Sequence, residues 1–158
     1  MSFASASSVL DVRDTLKNLY TAAINDPKIV VCFDLPSTWQ PGTIVAVGDV
    51  LGGVDSASEL IGGGQYGHVL EDYDVVTIID VFQGGELSNQ QTTREAVRLW
   101  QICSTTIRND LSLGLTNGVG FQLIKAMPVN FDIKTSNDAE HKGRRTRLTF
   151  NTHILAQT

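Results

Sequence analysis

The segment from Arg145 to Ala156, R-T-R-L-T-F-N-T-H-I-L-A, alternates along its length. Leu148, Phe150, Thr152, Ile154 and Ala156 fall on one side, and Arg147, Thr149, Asn151, His153 and Leu155 on the other. Successive side chains of a β-strand point to opposite faces, so this period of two predicts a strand with one face on a core. Such a strand needs neighbours in a sheet and a layer to cover it.

Two segments can form that layer. Val9, Val12, Leu16, Leu19, Tyr20 and Ala23 recur at helical spacing, opposite Asp11, Arg13, Asp14, Lys17 and Asn18. Ser8 with Asp11 gives an S-x-x-D capping signal, so the helix is expected to start at Ser7 or Ser8. Asn25-Asp26-Pro27 stops it, because a residue before proline avoids the helical region. The second helix is expected from Ser88 to Leu113, opened by the capping box Ser88-Asn89-Gln90-Gln91 and stopped by Gly114. Its expected buried stripe is Ala96, Trp100, Cys103, Ile107 and Leu111, with Val97 and Leu99 at the flanks.

Further strands are expected at Lys28–Phe33, Thr43–Val47 and Asp74–Phe82. More strand material lies at 121–125 and 129–133, where Pro128 marks a bulge or a sheet edge. Residues 48–67 read as a glycine-rich loop and 135–144 as a polar hairpin loop, both expected to be mobile. The order α-β-β-β-α-β-β predicts an α+β fold, a mostly antiparallel sheet with two helices packed on one face. At 158 residues the chain is expected to be one domain, 1–158.

Charge and cysteines narrow the functional classes. A net charge of −5 argues against a protein that grips nucleic acid through an overall positive field. Cys32 and Cys103 lie in separate apolar runs and read as reduced core thiols. Residues 1–8 lack the basic and apolar regions of a signal peptide, and no apolar run approaches the ~20 residues of a membrane span. Folding in a reducing cytoplasm, away from membranes, is the expectation.

Few residues suggest chemistry. Gly62-Gly63-Gly64-Gln65-Tyr66-Gly67 is a literal G-x-G-x-x-G, and Asp80 follows at roughly the right distance for a dinucleotide site. The strand before it and the helix after it, which that motif requires, are missing. His68, His141 and His153 are scattered without metal-ligand spacing. Glu71, Asp72 and Asp74 cluster beside Tyr73 in a turn-like segment and read as a solvated edge. The basic run Lys142-Gly143-Arg144-Arg145-Thr146-Arg147 fits either phosphate or an acidic patch on a neighbouring copy, such as Glu71, Asp72 and Asp74. No catalytic constellation, cofactor or metal site is assigned, and the chain does not read as an enzyme.

Taken together, these elements resemble the tail terminator proteins of long-tailed bacteriophages, and more loosely the small neck proteins of the head–tail junction. The resemblance is carried by the first amphipathic helix and apolar strand, the long loop, the central helix and the closing G-R-R-T-R-L-T-F-N-T-H-I-L hairpin strand. It implies a virion protein that forms a ring, usually a hexamer, assembled in the host cytoplasm. That ring would cap the tail tube and meet the head connector, with DNA passing through its lumen without specific binding. A head-closure or stopper protein is the first alternative, and a small-ligand-binding module using the Gly62–Gly67 loop is the second. Arg144, Arg145 and Arg147 are expected near a contact between copies, with Glu71, Asp72 and Asp74 as possible counterparts.

Overall fold

A computed structural model describes residues 7–39, 42–55, 70–85, 89–115 and 122–157. In chain order the elements are α1 (Val9–Ile24), β1 (Ile29–Phe33), β2 (Thr43–Asp55), β3 (Leu70–Gly84), α2 (Asn89–Asn109), β4 (Gln122–Asp138) and β5 (Gly143–Gln157). The order is the expected one, and the fold is α+β. The Gly62–Gly67 motif, His68, the Ser88 cap and Phe121 lie outside the described residues.

The five strands form one sheet in the order β1-β2-β3-β5-β4. Three of its pairings are antiparallel, and β1 runs parallel to β2. Parallel neighbours usually need a crossover of a dozen or more residues. Here residues 34–42 suffice, because β1 is only 5 residues long and the chain retraces only about 13 Å. β5 pairs with β3 and β4 along its whole length, and its alternation is as expected. Thr146, Leu148, Phe150, Thr152, Ile154 and Ala156 are buried on the helix side.

Both long loops prove shorter. β2 continues past Val47 through a bulge at Gly48 and Asp49, then pairs Val50–Asp55 with β3. Its glycines fit a strand, because Gly52 (φ 148) lies where two backbones nearly touch. A Cβ there would sit 2.5 Å from Tyr73 Cα. The polar hairpin closes in a turn at 139–142, with Asp138 opposite Gly143. Asp138 organises that turn by accepting from the His141 backbone N–H at 3.1 Å and contacting its ring Nδ1 at 2.9 Å. Pro128 does lie on an edge strand, and a bulge follows at Asn130 (φ 47).

The core fills the space between one sheet face and the helices. Val12, Leu16 and Tyr20 of α1 are buried there, whereas Ala23 is exposed. Thr92, Ala96, Leu99, Cys103 and Ile107 form the buried stripe of α2. Leu99 therefore belongs at the centre of the stripe. Trp100 moves to its flank, against Phe131 of β4 at 4.9 Å. Leu111 is 39 % exposed because α2 ends at Asn109, short of Gly114. Asp110 ends it by accepting from the Ser112 backbone N–H (3.1 Å) and hydroxyl (2.6 Å), a local turn that competes with helix.

Tyr20 stands edge-on to Phe150, with centroids 6.5 Å apart. Burial pushes its phenol far above the ordinary range; Cys103 adds to this, and the Thr152 and Thr77 hydroxyls oppose it. Those threonines do not meet hydrogen-bond geometry, so three buried oxygens stay unpaired. An unpaired buried hydroxyl costs about 1–3 kcal/mol, so Tyr20→Phe is expected to raise the melting temperature. A clear drop would show that the hydroxyl is satisfied.

Both cysteines are free. Burial pushes the Cys103 thiol up to about 12, and burial and Asp34 also raise Cys32. Since only the thiolate reacts, alkylation at pH 8 followed by mass spectrometry should leave Cys103 unmodified until the chain is unfolded. Half-buried Cys32 should be labelled first.

Candidate functional site

Among the described residues, the sheet has one face covered by helices and one that no helix covers. On the uncovered face, Asp72, Asp74, Val76, Ile78, Asp80 and Phe82 of β3 lie beside Leu155, His153, Asn151, Thr149, Arg147 and Arg145 of β5. The alternation that buries Leu148 and Phe150 on one side places these residues together on the other.

Two polar groups organise this face. Asp80 has a side chain only 3 % exposed. Its Oδ1 accepts from Arg145 at 2.9 Å, and its Oδ2 accepts from Arg147 Nε at 3.0 Å and Nη2 at 2.8 Å. Arg145 also approaches Asp138 (3.6 Å) and lies over the Phe82 ring. Further along, His153 stands between two carboxylates, with Nδ1 2.8 Å from Asp74 and Nε2 3.3 Å from Asp72. Asn151 donates to Asp74 at 3.1 Å.

The sequence-predicted residues therefore divide. Arg145 and Arg147 are already held within the chain by Asp80. Arg144 points to the helix side of β5, half-buried, with no ion pair among the described residues. Asp72 and Asp74 face outward, but in a strand and not a turn. Glu71 is a correction. It is 4 % exposed, facing the helix layer, because alternation along β3 turns Glu71 and Tyr73 inward. Its carboxylate accepts from the Ser8 backbone N–H (2.7 Å), the Ser8 hydroxyl (2.8 Å) and the Ser7 hydroxyl (2.8 Å). Ser8 makes no side-chain cap to its own helix, so the S-x-x-D signal is not used. Glu71 takes that role, with a negative charge at the positive end of α1. The neighbouring Tyr73 hydroxyl meets Ser8 Oγ at 2.7 Å, and burial pushes its phenol up.

Asp80 is not free to hold a ribose. Its proper role was signalled in the sequence: a lone acid inside Val-Val-Thr-Ile-Ile-Asp-Val-Phe must find a cation, since carboxylates are almost never fully buried unpaired. Beside it, Trp39 stacks on His141 at 3.9 Å, nearly parallel, and meets Phe82 edge-on. This clamps residues 34–39 to the hairpin turn and bounds a cleft of about 460 Å³ lined by Pro36, Ile44 and Arg147 among others.

The remaining exposed features are apolar, with Phe33 and Phe131 on the helix side of the two edge strands. Val30, Phe33, Leu51, Ile124 and Phe131, all on strands, are exposed, and Leu51 and Phe131 are each 56 % exposed. Among the described residues, β1 and β4 end the sheet with unpaired backbone edges. Among the described residues, no group of three His, Cys, Asp or Glu side chains could hold a metal. Among the same residues, no helix is long and apolar enough to cross a membrane.

No protein-family model and no curated protein matches the chain. One solved structure similar to it is a chain from "Virion of native gene transfer agent (GTA) particle", with 14 % identity and a TM-score of 0.45 over 91 % of this chain and 94 % of that one. Likeness at that level carries no argument about the function of this chain.

Proposed function

We propose that the chain is a structural virion protein of a phage-like particle, a tail terminator or a closely related neck component that works as a ring. The observation that carries this reading is the one-sided sheet. One face is covered by α1 and α2; the other face and both edges carry exposed Val30, Phe33, Leu51, Ile124 and Phe131. An open apolar edge is an aggregation hazard unless another chain covers it, so the surface suits a subunit of an assembly. The element order and the hairpin strand that resemble tail terminators add support. The net charge of −5 suits a lumen through which DNA slides without sticking.

A nucleic-acid-binding role for Arg144, Arg145 and Arg147 is less favoured. Asp80 already neutralises one charge and holds two of the three guanidiniums by hydrogen bonds. Native mass spectrometry of the full chain tests the proposed ring. The expected result is a closed oligomer, six copies by the resemblance. A strict monomer at every concentration that also fails to attach to tail tubes would refute the proposal.

A further inference from the structure

Given the ring proposed above, we infer that its copies meet through their helices: the first turn of α1 in one copy docks on the outward face of α2 in the next. Arg94, Arg98, Gln101, Thr105 and Arg108 are all exposed. Their spacing of four, three, four and three residues sets them in one straight stripe along the helix. α2 carries three arginines against one acid, Glu95, in a chain of net charge −5. Arg98 forks onto Glu95 at 2.6 and 2.9 Å. Arg94 and Arg108 have no ion pair among the described residues. Midway along the stripe is a shallow depression of about 350 Å³, lined by Arg98, Gln101, Ile102, Thr105 and Thr106. Its apolar wall is Ile102.

α1 offers the matching shape. Leu10 is 70 % exposed, more than any other large hydrophobic side chain among the described residues. Asp14, four residues on, shares its helix face, and Asp11, three residues before Asp14, adjoins that carboxylate; both are exposed. An apolar knob flanked by two carboxylates thus matches an apolar-walled depression flanked by arginines. Knob and depression are both exposed within one chain, so the contact joins different copies. It is also head-to-tail: each copy gives its α1 and receives on its α2. Contacts of that kind close into rings when the rotation between successive copies closes, which is the case the proposed function requires. Exposed ion pairs contribute little on their own, so Leu10 provides most of the binding, while the charges set partner and register.

The test uses the full chain and follows assembly against concentration by native mass spectrometry and light scattering. Leu10→Glu is expected to raise the concentration needed for assembly about tenfold or more, with circular dichroism and melting temperature unchanged. Arg94→Glu with Arg108→Glu is expected to weaken assembly in the same way. Adding Asp11→Arg and Asp14→Arg to that variant should restore it. A Leu10→Glu chain that assembles like the wild type, or a charge swap that restores nothing, would overturn this contact while leaving the ring intact. A wild-type chain that never assembles and never binds tubes would overturn the ring itself.

Discussion

The double variant Arg145→Ala/Arg147→Ala is expected to lose about 3–5 kcal/mol of folding stability, measured by urea denaturation. Asp80 is buried, and its two oxygens take their hydrogen bonds from these two guanidiniums. Removing both leaves a buried carboxylate without a partner, and a broken buried pair costs that much because one charge stays behind. The triple variant that adds Asp80→Leu should recover much of the loss, because a well-packed apolar residue can replace a buried ion pair. This changes what the basic run means. From the sequence alone, charge reversal at Arg144, Arg145 and Arg147 is expected to weaken assembly more than folding. The Asp80 geometry assigns the larger effect of Arg145 and Arg147 to folding and leaves Arg144 as the arginine best placed for a partner. A double variant as stable as the wild type would show that Asp80 needs no cationic partner.

Glu71→Ala is expected to cost roughly 3 kcal/mol, the upper end of what hydrogen bonds to a charged group contribute. The substitution strips the α1 N-terminus of three contacts at once and leaves the Ser8 N–H buried without an acceptor. Glu71→Gln should lose less, because the amide oxygen still accepts, but it lacks the charge that favours a helix N-terminus. Equal stability of Glu71→Ala and the wild type would mean that α1 is capped by other groups.

How much of this was legible depended on the range of the interaction. The alternation of Arg145–Ala156 is local and unambiguous, and β5 follows it residue by residue. Helix positions were legible from their 3.6-residue period: Ala96, Cys103 and Ile107 of α2 are buried as expected, but Leu99 takes the place given to Trp100. Trp100 looked like a core residue, but it packs on Phe131 of the edge strand. The strand past Val47 was hidden because glycine ordinarily marks a loop. Gly52 is instead demanded by the backbone of Tyr73, a close approach that only the folded sheet reveals. Glu71 looked like surface because its partners are Ser7 and Ser8, more than sixty positions away. Asp80 could have been suspected, being an acid in an apolar run with two arginines spaced to share one strand face.

As proposed above, this chain closes the end of a tube as a ring of copies. Negative-stain electron microscopy of the full chain mixed with assembled tail tubes from its own particle tests it most directly. The expected result is a ring of density at one end of each tube and none along its length. Tubes with bare ends, together with a chain that stays monomeric on its own, would contradict it.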